Sequence, residues 1–218
     1  MARSKAREPL SRRRAIEAAV ALADHQGIDS LSMRRLAKEL GVEAMSLYHH
    51  VANKDDILDG MVDAVFGEIE VPRDAPDWRS AMRDRAVSQR AALLRHPWAL
   101  NLMESRTSPG TETLRHHDAV IGIGLDAGLD LTLVAHAIAL LDAYVYGFVL
   151  QELTLPFDDG DAIEPVVEET LGAMDPEQFP HLARMAGEHV LQPGYRFADE
   201  FDFGLDLVLD GLAVAAAR

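Results

Sequence analysis

The sequence predicts an all-helical chain in two parts, a small N-terminal three-helix domain and a larger helical body. Three observations carry this. Apolar residues recur at three- and four-residue spacing nearly throughout, and strand-like alternation is hard to find. Serine, asparagine and glycine fall where helices start and stop. Charge is also unevenly placed. The 218 residues hold 21 Lys/Arg and 36 Asp/Glu, a net charge of −15. Residues 1–54 nevertheless hold ten Lys/Arg against six Asp/Glu, while the remainder holds eleven against thirty. A basic end on an acidic body separates two jobs, and only the basic end suits a polyanion.

Each element follows in order. The first helix spans about Arg12–His25, with Ser11 as N-cap, Ile16, Ala19, Val20 and Ala23 as its apolar stripe, and Gly27 as its stop. The second starts after Ser32, carries Leu36, Ala37 and Leu40 on one face, and ends at Gly41. A short third helix spans about Ala44–His50. A fourth begins near Asn53, with Asp55 and Asp56 in its first turn, where carboxylates suit the positive helix end. Its stripe is Ile57, Leu58, Met61, Val62, Val65 and Ile69. The two prolines of Val71–Asp77 make a loop. Helices follow at about Trp78–Arg95, from Pro97, at Thr111–Ala127 before Gly128, and at the strongly apolar Leu131–Leu153. Leu155–Pro165 reads as an acidic loop, and the stretch to Val190 as one or two weaker helices interrupted around Pro176 and Pro180. A last helix at about Phe197–Ala217 spaces Phe201, Leu205, Leu209 and Leu212 on one face. Residues 1–60 form the first domain and 61–218 the second.

Composition narrows the chemistry. The chain has no cysteine, which excludes disulfides, thiolate nucleophiles and sulfur-ligated zinc. The basic N-terminus is followed by no apolar segment of signal-peptide type. No apolar run is expected to reach the roughly 18 residues that suggest a membrane span. A reducing cytoplasm is the simplest compartment.

The stretch ELGVEAMSLYHHVANK (Glu39–Lys54) is the most informative. Two short helices joined at Glu39–Val42 fit a helix-turn-helix. Gly41 can take the positive φ that the sharp turn requires. Val42 packs between the helices, and Leu47 and Val51 face inward. Glu43, Ala44, Met45 and Ser46 then stand at the exposed start of a helix small enough to enter a major groove. Lys54 opens the next helix, where its ammonium and free backbone N–H groups can hold a phosphate. The adjacent His49 and His50 point about 100° apart on a helix and cannot easily share a metal. His50 reads as a structural or phosphate-contacting residue, and His49 as a surface one.

The pattern Ser32, Leu36-Ala37, Leu40-Gly41-Val42, Leu47-Tyr48, His50-Val51, Lys54 and Ile57-Leu58 resembles the DNA-binding domain of the TetR family of bacterial repressors, in particular its tetracycline-repressor type. It covers about residues 11–60. A looser likeness runs through DWRSAMRDRAVSQRAALLRHP (Asp77–Pro97) and LLDAYVYGFVLQE (Leu140–Glu152). The resemblance implies that Tyr48, His50 and Lys54 position the sugar-phosphate backbone, with His49 near a thymine methyl or a phosphate. It also implies guanine recognition by Arg34, whose fork can bond O6 and N7 together. A phosphate contact, or Arg35 in its stead, remains open. Glu43 accepts from a cytosine N4 or orients Arg34. Ala44 and Met45 depart from the tetracycline-repressor pattern, which leaves the operator sequence open.

For the body the resemblance implies a dimer and a pocket for a small organic effector. The helices at Leu131–Leu153 and Phe197–Ala217 fit a four-helix interface with the same pair from a partner, eased by Ala135, Ala139, Ala143, Gly147, Gly204, Gly211 and Ala215. Pocket candidates on the earlier helices are Met61, Val65, Arg85, Gln89, Trp98, Met103, His117 and Ile121. Tyr144, Phe148 and Gln151 are the candidates on the long apolar helix. Together they mix apolar walls with a few polar groups, as an amphipathic ligand needs. The magnesium-binding histidine of the tetracycline-repressor type falls at Met103, its neighbouring glutamate at Gln151, and a drug-contacting asparagine at Arg85. Magnesium–tetracycline chemistry is therefore expected to be absent, with no cofactor or metal in its place. His116-His117 is a second adjacent pair with the same weakness as a metal site. An enzyme in the acidic body is the rival class, but the chain carries no phosphate loop, nucleophile elbow or zinc spacing. A DNA-bound regulator without an inducer is the other alternative. The whole therefore reads as a ligand-released, homodimeric repressor of a palindromic operator.

Overall fold

A computed structural model describes residues 9–155 and 175–218, and every regular element among them is helical. The order is α1 (Arg12–Gln26), α2 (Met33–Leu40), α3 (Ala44–Leu47), α4 (Lys54–Gly67), α5 (Trp78–Arg95), α6 (Leu100–Met103), α7 (Thr111–Asp126), α8 (Leu131–Thr154), α9 (Pro180–Met185) and α10 (Glu200–Ala216). The chain divides into two compact units between Asp130 and Leu131. The boundary expected at residue 60 falls inside α4, which packs against α1 at one end and α7 along the other.

The start signals act as their chemistry predicts. Ser11, Ser32 and Asn53 accept from the backbone N–H three residues on, at 3.2, 3.2 and 2.9 Å. Each satisfies a donor that an open helix end leaves orphaned. Gly41 sits at φ 62°, ψ 44°, the left-handed conformation that ends α2 in about one residue. Leu36 and Leu47 are fully buried there, with Leu40 and Val51 close behind. Burying each such side chain stabilises by about 1.5–3 kcal/mol, so the turn is held from inside.

Three elements differ from the sequence reading. The helix expected over residues 44–50 is regular only to Leu47, and Tyr48–His50 continue as turns. His50 N and Val51 N both donate to the Leu47 carbonyl, at 2.8 and 3.0 Å. Val51 must turn inward while Asn53 caps α4, which leaves two residues to reverse the chain. Pro180 starts α9 instead of interrupting a helix; its missing N–H is one a first turn does not use. In α4, Gly60 and Phe66 are buried while Leu58 is only half-buried, so the buried face is turned slightly from the expected stripe, and Ile69, the last of that stripe, is buried just beyond the helix end at Gly67. The expected acidic loop at 155–165 lies almost wholly outside the described residues.

In the second unit α8 packs on α10. Val134, Ala137, Leu141, Val145 and Phe148 form the buried stripe of α8, and Phe201, Leu205, Leu209 and Leu212 that of α10. Phe148 stacks on Phe197 at 4.8 Å and meets Phe201 edge-on at 5.1 Å. The Tyr144 hydroxyl donates to the Phe201 carbonyl at 2.8 Å. A Cβ on Gly204 would fall on the Tyr144 phenol, so this contact needs glycine. With a mean hydropathy of 1.8 over its best window, α8 is long and apolar enough to cross a membrane. Asp142 at its midpoint and a buried stripe facing α10 fit a core helix better.

Candidate DNA interface and buried polar centre

The turn presents its polar residues outward. Arg34, Glu43, Met45, Tyr48, His49, His50 and Lys54 are exposed, and Ala44 and Ser46 are half-buried. Among the described residues no side-chain hydrogen bond or ion pair holds Arg34, Glu43, His49, His50 or Lys54. Arg35, the alternative base reader, instead bonds Gln26 of α1. Lys54 is the first residue of α4, beside the free N–H groups of that helix end. The structure thus places the nine residues expected to face DNA on α2, the cap of α3, α3 itself, the turn after it and the start of α4.

Two polar ties fix this face to its supporting helices. Arg12 donates to Asp56 Oδ1 at 2.7 Å, and Ala52 N to Asp56 Oδ2 at 2.9 Å. The Arg12 bond, with that backbone donor, holds the Asp56 carboxyl below its ordinary range despite partial burial. Arg106 donates to Asp59 at 2.5 Å and to Asp55 at 3.1 Å, joining the start of α4 to the turn after α6. Those same bonds, Asp59 first, push the Arg106 guanidinium further up. Asp63, one turn on, accepts from Thr113 N at 2.8 Å and caps α7 from outside. A carboxylate row at 55, 59 and 63 therefore ties one face of α4 to residues 106–113.

At the other end of the first unit His96 is buried between two acids. Its Nδ1 lies 2.8 Å from Asp24 Oδ1 of α1, and its Nε2 3.2 Å from both Glu68 oxygens. Trp98 Nε1 donates to the same Asp24 oxygen at 2.6 Å, so this expected pocket residue faces α1. Burial pushes the Glu68 carboxyl up, but bonds from Arg95 and His96 outweigh it and hold it low.

Among the expected effector residues, Met61, Val65, Trp98 and Met103 are buried in the first unit, and His117 and Ile121 are half-buried. In the second unit Tyr144 and Phe148 join the aromatic cluster, while Gln151 is exposed and donates weakly to the Gly147 carbonyl. Arg85 is 1% exposed, as its inward assignment requires, and Gln89 beside it on α5 is 0% exposed.

His116, weighed in the sequence only as half of a weak metal pair and not as a pocket residue, is 4% exposed. Arg85 Nε donates to His116 Nε2 at 3.3 Å, with Nη2 equally near. A guanidinium has only donors, so His116 Nε2 must accept and the ring proton sits on Nδ1. Desolvation, then the Arg85 and His117 charges, push the His116 pKa down to about 3, so the ring is neutral at physiological pH. No described residue accepts from its buried Nδ1. Leaving such a donor unmet costs about 1–3 kcal/mol. His117 donates Nδ1–H to the Thr113 carbonyl at 2.8 Å and meets the His116 ring edge-on at 5.5 Å, so the nitrogens bonded to Arg85 and Thr113 are not shared with a metal. No group of three metal-ligating side chains occurs among the described residues.

Comparison with known proteins agrees with this layout. Residues 15–61 match the family described as bacterial regulatory proteins, tetR family, and residues 71–216 the tetracyclin repressor-like C-terminal domain. The HTH-type transcriptional repressor DrrR1 of Streptomyces coeruleorubidus is 35% identical over 94% of this chain and 78% of its own length. The class A tetracycline repressor protein from transposon 1721 of Escherichia coli is 31% identical over 91% of this chain and 88% of its own. Among solved structures, the Streptomyces coelicolor protein ActR in complex with actinorhodin superposes with a TM-score of 0.78 at 29% identity, covering 96% of this chain and all of that one. These relatives are regulators and not enzymes. With both domain matches, the exposed helix-turn-helix face and identity above 30% over nearly its full length, the chain belongs to the TetR family of transcriptional repressors.

Proposed function

We propose that this chain is a homodimeric repressor that grips a palindromic operator through residues 1–60 and is released when a small organic effector enters the body formed by residues 61–218. The observation that carries the reading is the outward set Arg34, Glu43, His49, His50 and Lys54, poised on a turn whose apolar side is fully packed. Base edges and phosphates are the partners that such a face lacks. Arg34 reads a guanine, and Lys54, Tyr48 and His50 set the register on the backbone.

The dimer rests on α8 and α10. Opposite its buried stripe α10 exposes a second apolar one, with Phe203 at 68% and Leu207 at 59% exposure, followed by Val214. Helix α8 likewise exposes Leu131, Leu140, Leu150 and Leu153. An apolar face this long needs cover, and a second copy supplies it while spacing two reading heads about one DNA turn apart.

The effector differs from magnesium–tetracycline. Met103 offers a thioether, a poor donor for a hard cation, and Arg85 puts a fixed positive charge in the buried centre. The test measures mass in solution and operator retardation, with and without competitor DNA. A monomer, or equal affinity for operator and random DNA, sinks the reading. Micromolar, magnesium-dependent tetracycline binding sinks the effector distinction alone.

A further inference from the structure

Between the end of α4, the loop after it and α7 lies a cavity of about 330 Å³. Phe66, Ile69, Val71 and Ala119 make its walls apolar, and His116 lines it. Its polar groups are Arg73, Arg115, Glu112 and His116. Glu112 is already engaged by Arg115. Arg73 is exposed at the rim, and Arg85 stands directly behind the His116 ring. Positive charge therefore prevails around a lining that offers one buried donor.

We propose that this cavity holds the polar end of the effector, and that the effector is an organic anion. Its carboxylate or phenolate oxygen accepts from His116 Nδ1–H and faces Arg73, while its apolar part lies along Phe66, Ile69 and Val71. The inference rests on the effector-released reading above and adds the chemical class of the ligand. Arg85 makes the choice of sign. By occupying Nε2 it fixes the tautomer, so the proton of His116 lies on Nδ1, buried in a ring that lines the cavity, and the ring has no free lone pair to offer. A metal cation would find neither a ligand in that ring nor relief from the two guanidiniums. An anion finds a donor that costs nothing to strip of water, because it is already buried and unmet. Neutrality matters equally: a ring that stayed neutral across physiological pH gives the same donor under all those conditions. Glu112 does not oppose the anion, since Arg115 neutralises it.

The probe is 2-naphthoate, with 2-naphthamide as its neutral isostere, titrated calorimetrically into the full-length protein. Naphthoate is expected to bind about tenfold or more tightly than the amide, because a charge-assisted bond replaces a neutral one. Arg73→Gln, at an exposed position that leaves folding intact, is expected to lose about tenfold for naphthoate and little for the amide. His116→Leu removes the donor and loses naphthoate binding, while His116→Asn, whose amide N–H can stand where Nδ1 stood, restores it. Equal binding of acid and amide overturns the proposal. So does naphthoate binding that survives His116→Leu in a protein with an intact melt, or no naphthoate binding at millimolar concentration. Operator retardation is measured on the same samples. Operator binding without naphthoate binding removes this inference and leaves the repressor reading standing; loss of both removes that reading too.

Discussion

The reading face and the buried centre between α5 and α7 treat polar side chains in opposite ways. On the face, Arg34, Glu43, His49, His50 and Lys54 stand in water with no described side-chain partner. Water satisfies them until a nucleic acid replaces it, so their readiness costs the fold little. In the centre, Arg85, Gln89 and His116 have been taken out of water. There each polar atom must be met or carry a penalty, and His116 Nδ1 is unmet among the described residues. One region stores specificity at its surface. The other stores it as an incomplete hydrogen-bond network.

The largest effect that can break this contrast is acid destabilisation. The His116 pKa is about 3 in the folded chain against 6.5 ordinarily. The unfolded chain therefore binds a proton as pH falls through about 6.5, while the folded chain declines it until about 3. Stability is full above that window and falls through it by up to about 1.4 kcal/mol per pH unit. Urea melts at stepped pH should show this slope, and His116→Asn should flatten it. An unchanged slope in that variant would mean that the buried ring is not the group responsible.

Gly204→Ala comes next. Its methyl falls on the Tyr144 phenol, which donates to the Phe201 carbonyl, so one side chain or helix must shift. A loss of about 1–3 kcal/mol is expected, read as an earlier thermal melt. A melt within error of the parent would show that the α8–α10 contact is slack.

On the reading face, Arg34→Ala is expected to cost about 1–3 kcal/mol of operator binding and to relax preference at one base pair per half-site. Uniform loss over all operator variants would make Arg34 a phosphate contact. The smallest effect is Lys54→Ala, which should weaken all sequences alike and shallow the salt slope by about one unit. No change in slope would place Lys54 outside the interface. Neither substitution should move the melting temperature, because neither side chain has a partner to lose among the described residues.

By itself the sequence determined the helices and the turn. Ser11, Ser32, Asn53, Gly27 and Gly41 act on the backbone within three or four residues, so their effect is written where they stand. Stripes such as Phe201, Leu205, Leu209 and Leu212 are legible for the same reason, since helical period alone puts them on one face. The exposed set proposed to face DNA follows from these, because exposure at a helix start is a local consequence. Tertiary structure alone decided the meetings: Arg12 with Asp56 across 44 residues, Arg85 with His116 across 31, His96 with both Asp24 and Glu68. No local pattern distinguishes His116, which lies in the buried centre, from His117, which turns to its own helix. The ring's tautomer, its neutrality and its unmet proton come from the guanidinium that packing sets beside it, and a charge acts through space, not along the chain.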